Sequence, residues 1–200
     1  MIRSARFFLF VLALLLCVPP PSQGCVGRIL YIGSLESPEE RVMSELLVLL
    51  INERTGTTVQ TRFFKTPEAL YKALGSDKEE ERADILVENT AAGLARLKKS
   101  GGQPGDGDYL TAKDLYEKEL GLIWLNPFGY TTAGAKGGKS VSAPVIRRDV
   151  LNNFPLLPRV LNKLAGGVDN AAFAALLAKS NSGEKPKNIA KDFLKAKKFI

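Results

Sequence analysis

The chain has 200 residues and a net charge of +7, with two cysteines and no histidine. The lack of histidine removes the commonest general base and metal ligand, which excludes a histidine-dependent triad or zinc site. We predict no catalytic residues, no metal and no cofactor. The basic residues are scattered among acidic ones and are not interleaved with aromatics, so no nucleic acid is expected as a partner.

Residues 1–24 have the pattern of a secretory signal peptide. Arg3 and Arg6 precede twelve apolar residues, FFLFVLALLLCV (7–18), and small residues precede the cleavage point. A retained membrane anchor is the alternative, but the run is shorter than the ~20 apolar residues of a typical span. Removal of this segment leaves 176 residues, the size of one domain, with a net charge of +5 because two basic residues are lost.

The residues around the predicted cleavage point make Cys25 a lipidation candidate. Gly24 and Cys25 resemble the end of a bacterial lipobox, although Ser22 stands where that pattern has leucine. Cys17 leaves with the signal peptide, so Cys25 can form no internal disulfide. We expect an exported protein in the periplasm or at the outer face of the cell membrane, lipid-anchored if Cys25 is modified.

Three segments in the first half of the chain predict strands. RILYIGS (28–34) and ADILVE (83–88) are apolar runs typical of buried strands, and TTVQTRFF (57–64) has the alternation of a strand.

Helices are predicted between and after these strands. Ser37 is a helix cap, with Pro38 in the first turn and Glu40 completing a capping box, and Gly56 ends this helix. A second helix begins at Thr66-Pro67 and stops at Gly75, and TAAGLARLKKS (90–100) predicts a third.

The second half of the chain becomes mainly helical. GGQPGDGD (101–108) predicts a mobile loop, and Thr111 to Glu119 a helix capped by its own threonine. A strand followed by a turn is expected in GLIWLNPFGY (121–130), and another strand in VSAPVI (141–146). Helices follow around RRDVLNNFP, LLPRVLNKLAG, DNAAFAALLAKS and PKNIAKDFLKAKK.

The alternation of strands and helices predicts an α/β fold with a mainly parallel sheet, helices on both faces and a helical C-terminus. Ligands of such sheets sit beyond the carboxyl ends of the strands. The segments of interest are therefore Gly33 to Ser37, Phe64 to Thr66, and Glu88 to Thr90.

The stretch AGAKGGKS (133–140) has the spacing of a phosphate-binding loop. Such a loop joins a buried strand to a helix, whose positive end faces the phosphates. Val141 and Pro144 follow here and argue against a helix. Since TTAGAKGGKS has no large apolar residue, we interpret residues 131–140 as a linker.

Several segments closely resemble the glycine betaine, carnitine and choline binding proteins of ABC transporters. The most specific are LYEKELGLIWLNPFGYTT and SAPVIRRDVLNNFPLLPRVLNKLAGGV, supported by RILYIGSLESPEERVMSELLVLLINERTG and ADILVENTAAGLARL. The resemblance implies a type 2 periplasmic-binding-protein fold, with a quaternary ammonium compound as ligand and a membrane ABC permease as partner.

The resemblance also implies that one lobe is missing. Family members have two α/β lobes, and the chain leaves the first after the NPFG segment and returns at the APVIR segment. Only YTTAGAKGGKSVS separates these segments here, whereas a lobe needs on the order of 100 residues. We therefore expect a single lobe over residues 25–200, with residues 131–140 replacing the other, and a homodimer is one way to complete the site.

The resemblance assigns candidate ligand contacts to strand ends. They are Ser34, Asn89, Thr90, Phe128, Tyr130 and Thr131. Asn89 stands where the family has an aromatic residue, and an aromatic wall lost from a cation cage costs about 0.5–2 kcal/mol.

Each of these residues also has a structural interpretation. Trp124 and Phe128 are candidates for the core, and Ser34 and Thr90 are candidates for helix capping. Glu36 and Glu88 form either a carboxylate pair at the strand ends or a solvated or capping set.

Three functions stay open at this point. The first is a weak or degenerate substrate-binding component of an importer for quaternary ammonium osmoprotectants, and it is not an enzyme. The second is an interaction scaffold derived from that lobe, with ligand binding lost. The third is a nucleotide hydrolase or another enzyme, which the failed context of residues 133–140 disfavours.

Overall fold

The computed structural model of the protein describes residues 28–129, 131–134 and 138–200. The signal peptide, the lipidation candidate Cys25 and the candidate contact Tyr130 lie outside these ranges. The strands are β1 (Leu30–Leu35), β2 (Val59–Phe64), β3 (Ile85–Asn89), β4 (Leu122–Trp124), β5 (Thr131–Ala133) and β6 (Lys139–Arg147). The helices are α1 (Pro38–Thr55), α2 (Pro67–Leu74), α3 (Thr90–Arg96), α4 (Gly107–Leu115), α5 (Arg148–Asn153), α6 (Leu157–Leu161), α7 (Asn170–Asn181) and α8 (Pro186–Ala196). A π-helical turn, Tyr116–Leu120, extends α4.

The strand order in the sheet is β2-β1-β3-β6-β4, and β5 pairs with β6 beside this path. β1 runs parallel to both β2 and β3, in register Leu30 with Val59 and Ile32 with Ile85. β6 is antiparallel to both β3 and β4. Four of the five strands on this path therefore share one direction, which confirms the predicted α/β fold with a mainly parallel sheet.

Successive residues of the central strands alternate between two hydrophobic cores, one on each face of the sheet. In β3, Ile85 and Val87 belong to one core and Leu86 to the other. The first core packs α1 with α6, α7 and α8, and the second packs α2, α3 and α4 around Trp124. Both faces are therefore covered by helices.

Local signals place the ends of α1 and α2 as predicted. The Ser37 side chain accepts a hydrogen bond from the Glu40 backbone N–H at 3.2 Å, and Gly56 ends α1 in the left-handed region, with φ 68°. Thr66 caps α2 through the Ala69 N–H at 3.2 Å. These ends depend on neighbouring residues only, because capping satisfies N–H and C=O groups within one turn.

The predicted start of the helix at Thr111 is wrong. α4 begins at Gly107, four residues earlier. The Asp108 carboxylate is buried and accepts hydrogen bonds from the backbone N–H groups of Gly102, at 2.8 and 2.9 Å, and of Gln103, at 2.9 Å. The loop at residues 101–108 is thus held by an acidic side chain, which the glycine-rich composition did not reveal.

The expectation of an unstructured linker over residues 131–140 also needs correction. Residues Thr131 and Ala133 of β5 pair with Val141 and Lys139 of β6, and the Gly134 N–H donates to the Gly138 carbonyl at 2.8 Å. Backbone pairing needs no large apolar side chain, and so composition was a poor guide here. We name residues 131–134 and 138–141 the β5–β6 hairpin.

Candidate functional site

The carboxyl ends of β1 and β3 hold three polar residues that the sequence assigned to the ligand. Ser34 is fully buried, and its hydroxyl donates to the Leu35 carbonyl at 3.1 Å. Asn89 is the N-cap of α3, and its Oδ1 accepts from the Ala91 N–H at 3.0 Å. Thr90 is buried and donates its hydroxyl to the Val141 carbonyl at 2.9 Å. Each of these side chains is therefore hydrogen-bonded to its own protein.

The remaining predicted contacts lie elsewhere. Phe128 is buried in the first core, in line with its structural interpretation. Thr131 is exposed on β5, where its N–H donates to Oδ1 of Asn170 at 2.7 Å and its carbonyl accepts from the same side chain at 3.1 Å. Trp124 is buried in an aromatic cluster, with its ring centroid 5.2 Å from that of Tyr116. Among the predicted contacts in the described ranges, Asn89 lines the cavity described next.

A cavity of about 200 Å³ lies at the carboxyl end of β3, between the first turn of α1, α2 and α3. Its polar lining comes from Glu39, Glu40, Tyr71, Glu88, Asn89, Arg96 and Ser142. We name this cavity the strand-end cavity. Its position is the one where parallel α/β sheets bind ligands.

Two larger depressions lie at other parts of the surface. One, of about 480 Å³, runs along edge strand β2 and includes Arg62 and Phe63. The other, of about 510 Å³, lies around Arg147 at the amino end of β4. Both are broad and open to solvent. The strand-end cavity is smaller but more enclosed, and enclosure is what a small-ligand site requires.

Glu88 is a half-buried ionisable group in the wall of the strand-end cavity. One carboxylate oxygen accepts a hydrogen bond from the Tyr71 hydroxyl, and the other accepts from the Asn89 N–H at 2.9 Å. Burial raises the pKa of Glu88 above its usual value, and the Tyr71 and Asn89 hydrogen bonds oppose that rise. The Tyr71 oxygen also lies 2.7 Å from that of Tyr116, so Glu88 terminates a buried chain of hydroxyl groups.

Glu40 supplies a second carboxylate from the third residue of α1. Burial, together with the nearby carboxylates of Glu88 and Glu39, raises the pKa of Glu40 to about 7. Two carboxyl groups in one desolvated space repel each other when both are ionised. The strand-end cavity is therefore a region where positive charge is favoured.

Arg96, the last residue of α3, forms part of the cavity wall. Its guanidinium carbon lies 3.6 Å from the centroid of the Tyr71 ring, as in a cation–π contact. The Arg96 Nε atom is buried and has no hydrogen-bond acceptor among the described residues. A buried donor without an acceptor is costly, which makes this atom a candidate for a ligand contact.

Sequence reasoning offered Glu36 either as a carboxylate partner of Glu88 or as a solvated or capping residue, and the structure places Glu40, not Glu36, close to Glu88. Glu36 is exposed, and it is not among the residues that line the cavity. Helical spacing carried a usable signal, because Glu40 lies one turn before the buried, cavity-lining Met43 and so shares its face of α1. No comparable signal pointed to Tyr71 or Arg96.

No group of three acidic or cysteine side chains in residues 28–129, 131–134 and 138–200 is arranged to hold a metal ion. Within the same ranges, none of the helices combines the length and the apolar character that crossing a membrane requires.

Solved structures with a similar fold include the following three. A crystal structure of a glycine betaine/carnitine/choline ABC transporter gives a TM-score of 0.75 at 14% identity, covering 87% of this chain and 99% of that chain. Apo YehZ from Escherichia coli gives 0.72 at 15% identity, covering 87% and 100%. Lactococcal OpuAC, in a closed conformation complexed with glycine betaine, gives 0.52 at 12% identity, covering 86% and 96%.

These likenesses confirm, at the level of the fold, the predicted resemblance to glycine betaine, carnitine and choline binding proteins. No known protein family and no curated protein matches the chain.

Proposed function

We propose that the protein is the exported substrate-binding component of an ABC importer for small ammonium osmolytes of the glycine betaine and choline type. The observation that carries this proposal is the enclosed strand-end cavity, which lies where this fold binds ligands and has Glu88 and Glu40 in its wall. A cationic group is the natural complement of two partly buried carboxylates. The protein is not an enzyme in this proposal, and its partner is a membrane permease.

Binding by this protein is expected to be weak. The sequence resemblance implies a second lobe that the chain replaces by the β5–β6 hairpin, so one side of the ligand stays in water. Ligand sites usually bury about 70–90% of the ligand surface. The missing lobe is inferred from the short spacing between Gly129 and Ala143 in the sequence. It is not inferred from the structural matches, which cover almost the full length of the solved chains.

A second candidate function is an interaction scaffold that has lost its ligand. The observation that favours it is the state of Ser34, Asn89 and Thr90. All three are hydrogen-bonded within the protein, and Asn89 replaces the aromatic residue expected from the family resemblance. In this proposal the lobe keeps its fold for contact with another protein.

Export of the protein is part of both proposals. It rests on residues 1–24, and the intact mass of the processed protein tests it. A chain that begins at Cys25 supports cleavage, and an added diacylglyceryl group supports lipid anchoring. A mass that retains residues 1–24 contradicts the proposed export signal.

The experiment that separates the two functions is a ligand panel on the processed protein. Thermal shift and calorimetry with glycine betaine, choline and carnitine at millimolar concentration are expected to show weak binding. Light scattering on the same samples reports whether a homodimer completes the site. No response to any of the three compounds, and none to their unmethylated analogue glycine, contradicts the transport proposal, and capture of a membrane permease by the protein contradicts the scaffold proposal.

A further inference from the structure

The wall of the strand-end cavity contains charges of both signs. Glu40 and Glu88 supply carboxylates from α1 and β3, and Arg96 supplies a guanidinium from α3. The three residues come from separate elements that meet at the carboxyl end of β3. A ligand that complements all of them carries both a positive and a negative group.

The carboxylates retain hydrogen-bonding capacity. Glu88 accepts from the Tyr71 hydroxyl and the Asn89 N–H, which leaves part of the four or so lone-pair positions of a carboxylate unused. The Glu40 side chain accepts no hydrogen bond from any residue in the described part of the chain, although its backbone N–H is bonded to Ser37. Largely buried carboxylates of this kind are best satisfied by N–H donors.

Among the described lining residues of this cavity, the aromatic surface that a fully methylated ammonium requires is small. Such a cation has no N–H group and is bound mainly by the faces of aromatic rings. Tyr71 supplies the one aromatic ring among the described lining residues, and the Arg96 guanidinium already covers one of its faces. The lining therefore favours hydrogen-bond acceptors over aromatic faces.

Arg96 is the residue of the cavity wall that matches a negatively charged group of a ligand. The buried Arg96 Nε has no acceptor in the described ranges, and a guanidinium matches the geometry of a carboxylate. The cavity volume of about 200 Å³ lies below the ~300–1,000 Å³ of sites for drug-sized ligands. A small amino-acid-like zwitterion meets both conditions.

We infer that the strand-end cavity selects small zwitterions whose ammonium group retains N–H donors. Glu40 and Glu88 accept hydrogen bonds from the ammonium, and Arg96 donates to the carboxylate. This inference rests on the proposed substrate-binding function and specifies its ligand class. Within the ammonium osmolytes of the proposed function, compounds that keep N–H groups are expected to bind more tightly than the fully methylated compounds that the sequence resemblance implies.

A methylation series tests this inference by calorimetry on the processed protein. Glycine, N-methylglycine, N,N-dimethylglycine and glycine betaine share a carboxylate, and each step of the series replaces one ammonium N–H by a methyl group until none is left. We expect the affinity to fall along the series, by about tenfold or more between glycine and glycine betaine, because hydrogen bonds to charged groups are lost.

The outcomes of the series separate the inference from the proposed function. An affinity that rises with methylation, or is equal for all four compounds, overturns the inference and leaves a binding protein in place. If the protein binds none of the four compounds, and neither choline nor carnitine, both the proposed function and the inference are overturned.

Substitutions in the cavity provide the second arm of the test. Glu40→Gln is expected to weaken glycine binding at least threefold more than glycine betaine binding, because it removes an acceptor of ammonium N–H groups. Glu53→Gln, on the exposed side of the same helix, is the matched control and should change neither. Equal effects of Glu40→Gln on both ligands would overturn the assigned role of Glu40.

The role of Arg96 is tested with a ligand that lacks a carboxylate. Arg96→Gln is expected to weaken glycine binding but to leave ethanolamine binding within twofold of the unmodified protein. Melting temperatures of each variant check that folding is retained. A loss of ethanolamine binding equal to the loss of glycine binding, in a variant with unchanged melting, would overturn the contact between Arg96 and the ligand carboxylate.

Discussion

The Ser140 hydroxyl donates a hydrogen bond of 2.6 Å to Oδ1 of Asn89. Ser140 is the last residue of the sequence that resembles a phosphate-binding loop, and Asn89 stands where the sequence resemblance implies an aromatic residue. The Ser140 oxygen also accepts from the Ala91 N–H at 3.2 Å. Because Ser140 lies in β6 and not before a helix, it ties the β5–β6 hairpin to the start of α3 and has no phosphate-binding geometry.

Replacement of Ser140 is expected to destabilise the fold, and neither the variant nor the unmodified protein is expected to bind a nucleotide. Ser140→Ala removes two hydrogen bonds at a buried position, which we expect to cost about 1–3 kcal/mol in the free energy of unfolding. Lys139→Ala is the matched control, because the neighbouring Lys139 side chain is exposed, and it should cost less than about 0.5 kcal/mol. Urea unfolding measures both. Micromolar affinity for ATP that Lys139→Ala abolishes would contradict this structural role.

Glu40→Gln is expected to change how stability depends on pH. Burial, with Glu88 and Glu39 nearby, raises the pKa of Glu40 from 4.5 to about 7 in the folded protein. The folded state therefore binds the proton more tightly than the unfolded state. The stability that this proton contributes is complete below about pH 4.5 and is lost as the pH rises through 7.

Glutamine has no such proton to lose. The free energy of unfolding of the variant, relative to that of the unmodified protein, should therefore rise when the pH is raised from 5 to 8. The gain is on the order of 2 kcal/mol, from 1.36 kcal/mol for each pKa unit. Urea unfolding at both pH values gives the difference, and the exposed Glu53→Gln serves as the control. An equal effect of Glu40→Gln at the two pH values would contradict the raised pKa of Glu40.

Tyr71→Phe is expected to destabilise the protein more at high pH than at low pH. The substitution removes the hydroxyl that donates to Glu88 and contacts Tyr116. That hydrogen bond opposes the rise in the pKa of Glu88, so its loss makes the ionised carboxylate less favourable. We expect a cost of about 1–3 kcal/mol at pH 8 and a smaller cost at pH 5.

Tyr109→Phe is the control for this prediction. The Tyr109 hydroxyl donates to the uncharged carbonyl of Leu125 at 2.9 Å, so its loss should have a cost that is the same at pH 5 and pH 8. Chemical denaturation at the two pH values measures both variants. A pH-independent cost for Tyr71→Phe would show that its hydroxyl does not stabilise the ionised form of Glu88.

Gly33→Ala is expected to destabilise the packing of α2 on β1. A Cβ atom at Gly33 would lie 2.3 Å from Cδ1 of Leu70 and 3.0 Å from Cβ of Ala83. Leu70 is itself buried in the second core, so it can move only by repacking, and we expect a cost of about 1–3 kcal/mol.

Gly75→Ala is a matched control at the end of α2. Its nearest neighbour would be the Lys72 carbonyl oxygen at 3.6 Å, and its φ of −86° suits alanine, so a change within about 1 kcal/mol is expected. The midpoint of urea unfolding compares the two variants. Equal midpoints would show that the space beside Gly33 is larger than the structure indicates.

Much of the fold could be predicted from the sequence because its signals are local. Ser37 and Gly56 bound α1 through groups within one turn, and the apolar runs of β1 and β3 mark strands that are buried on both faces. The start of α4 at Gly107 was missed because the carboxylate of Asp108, a residue of that helix, is buried against the loop before it.

The composition of the candidate site was decided by the tertiary structure. Four different elements supply its main polar residues, Glu40, Tyr71, Glu88 and Arg96. No sequence pattern around any of these residues indicates its role. They meet because β1 lies between β2 and β3, which places the first turn of α1 and the helices α2 and α3 around one strand end. The sequence by itself determined most of the strands and helices, β5 and the start of α4 excepted, and the side of the sheet where a ligand is expected. Which side chains share that space depends on contacts between residues far apart in the chain, and no local pattern encodes such contacts.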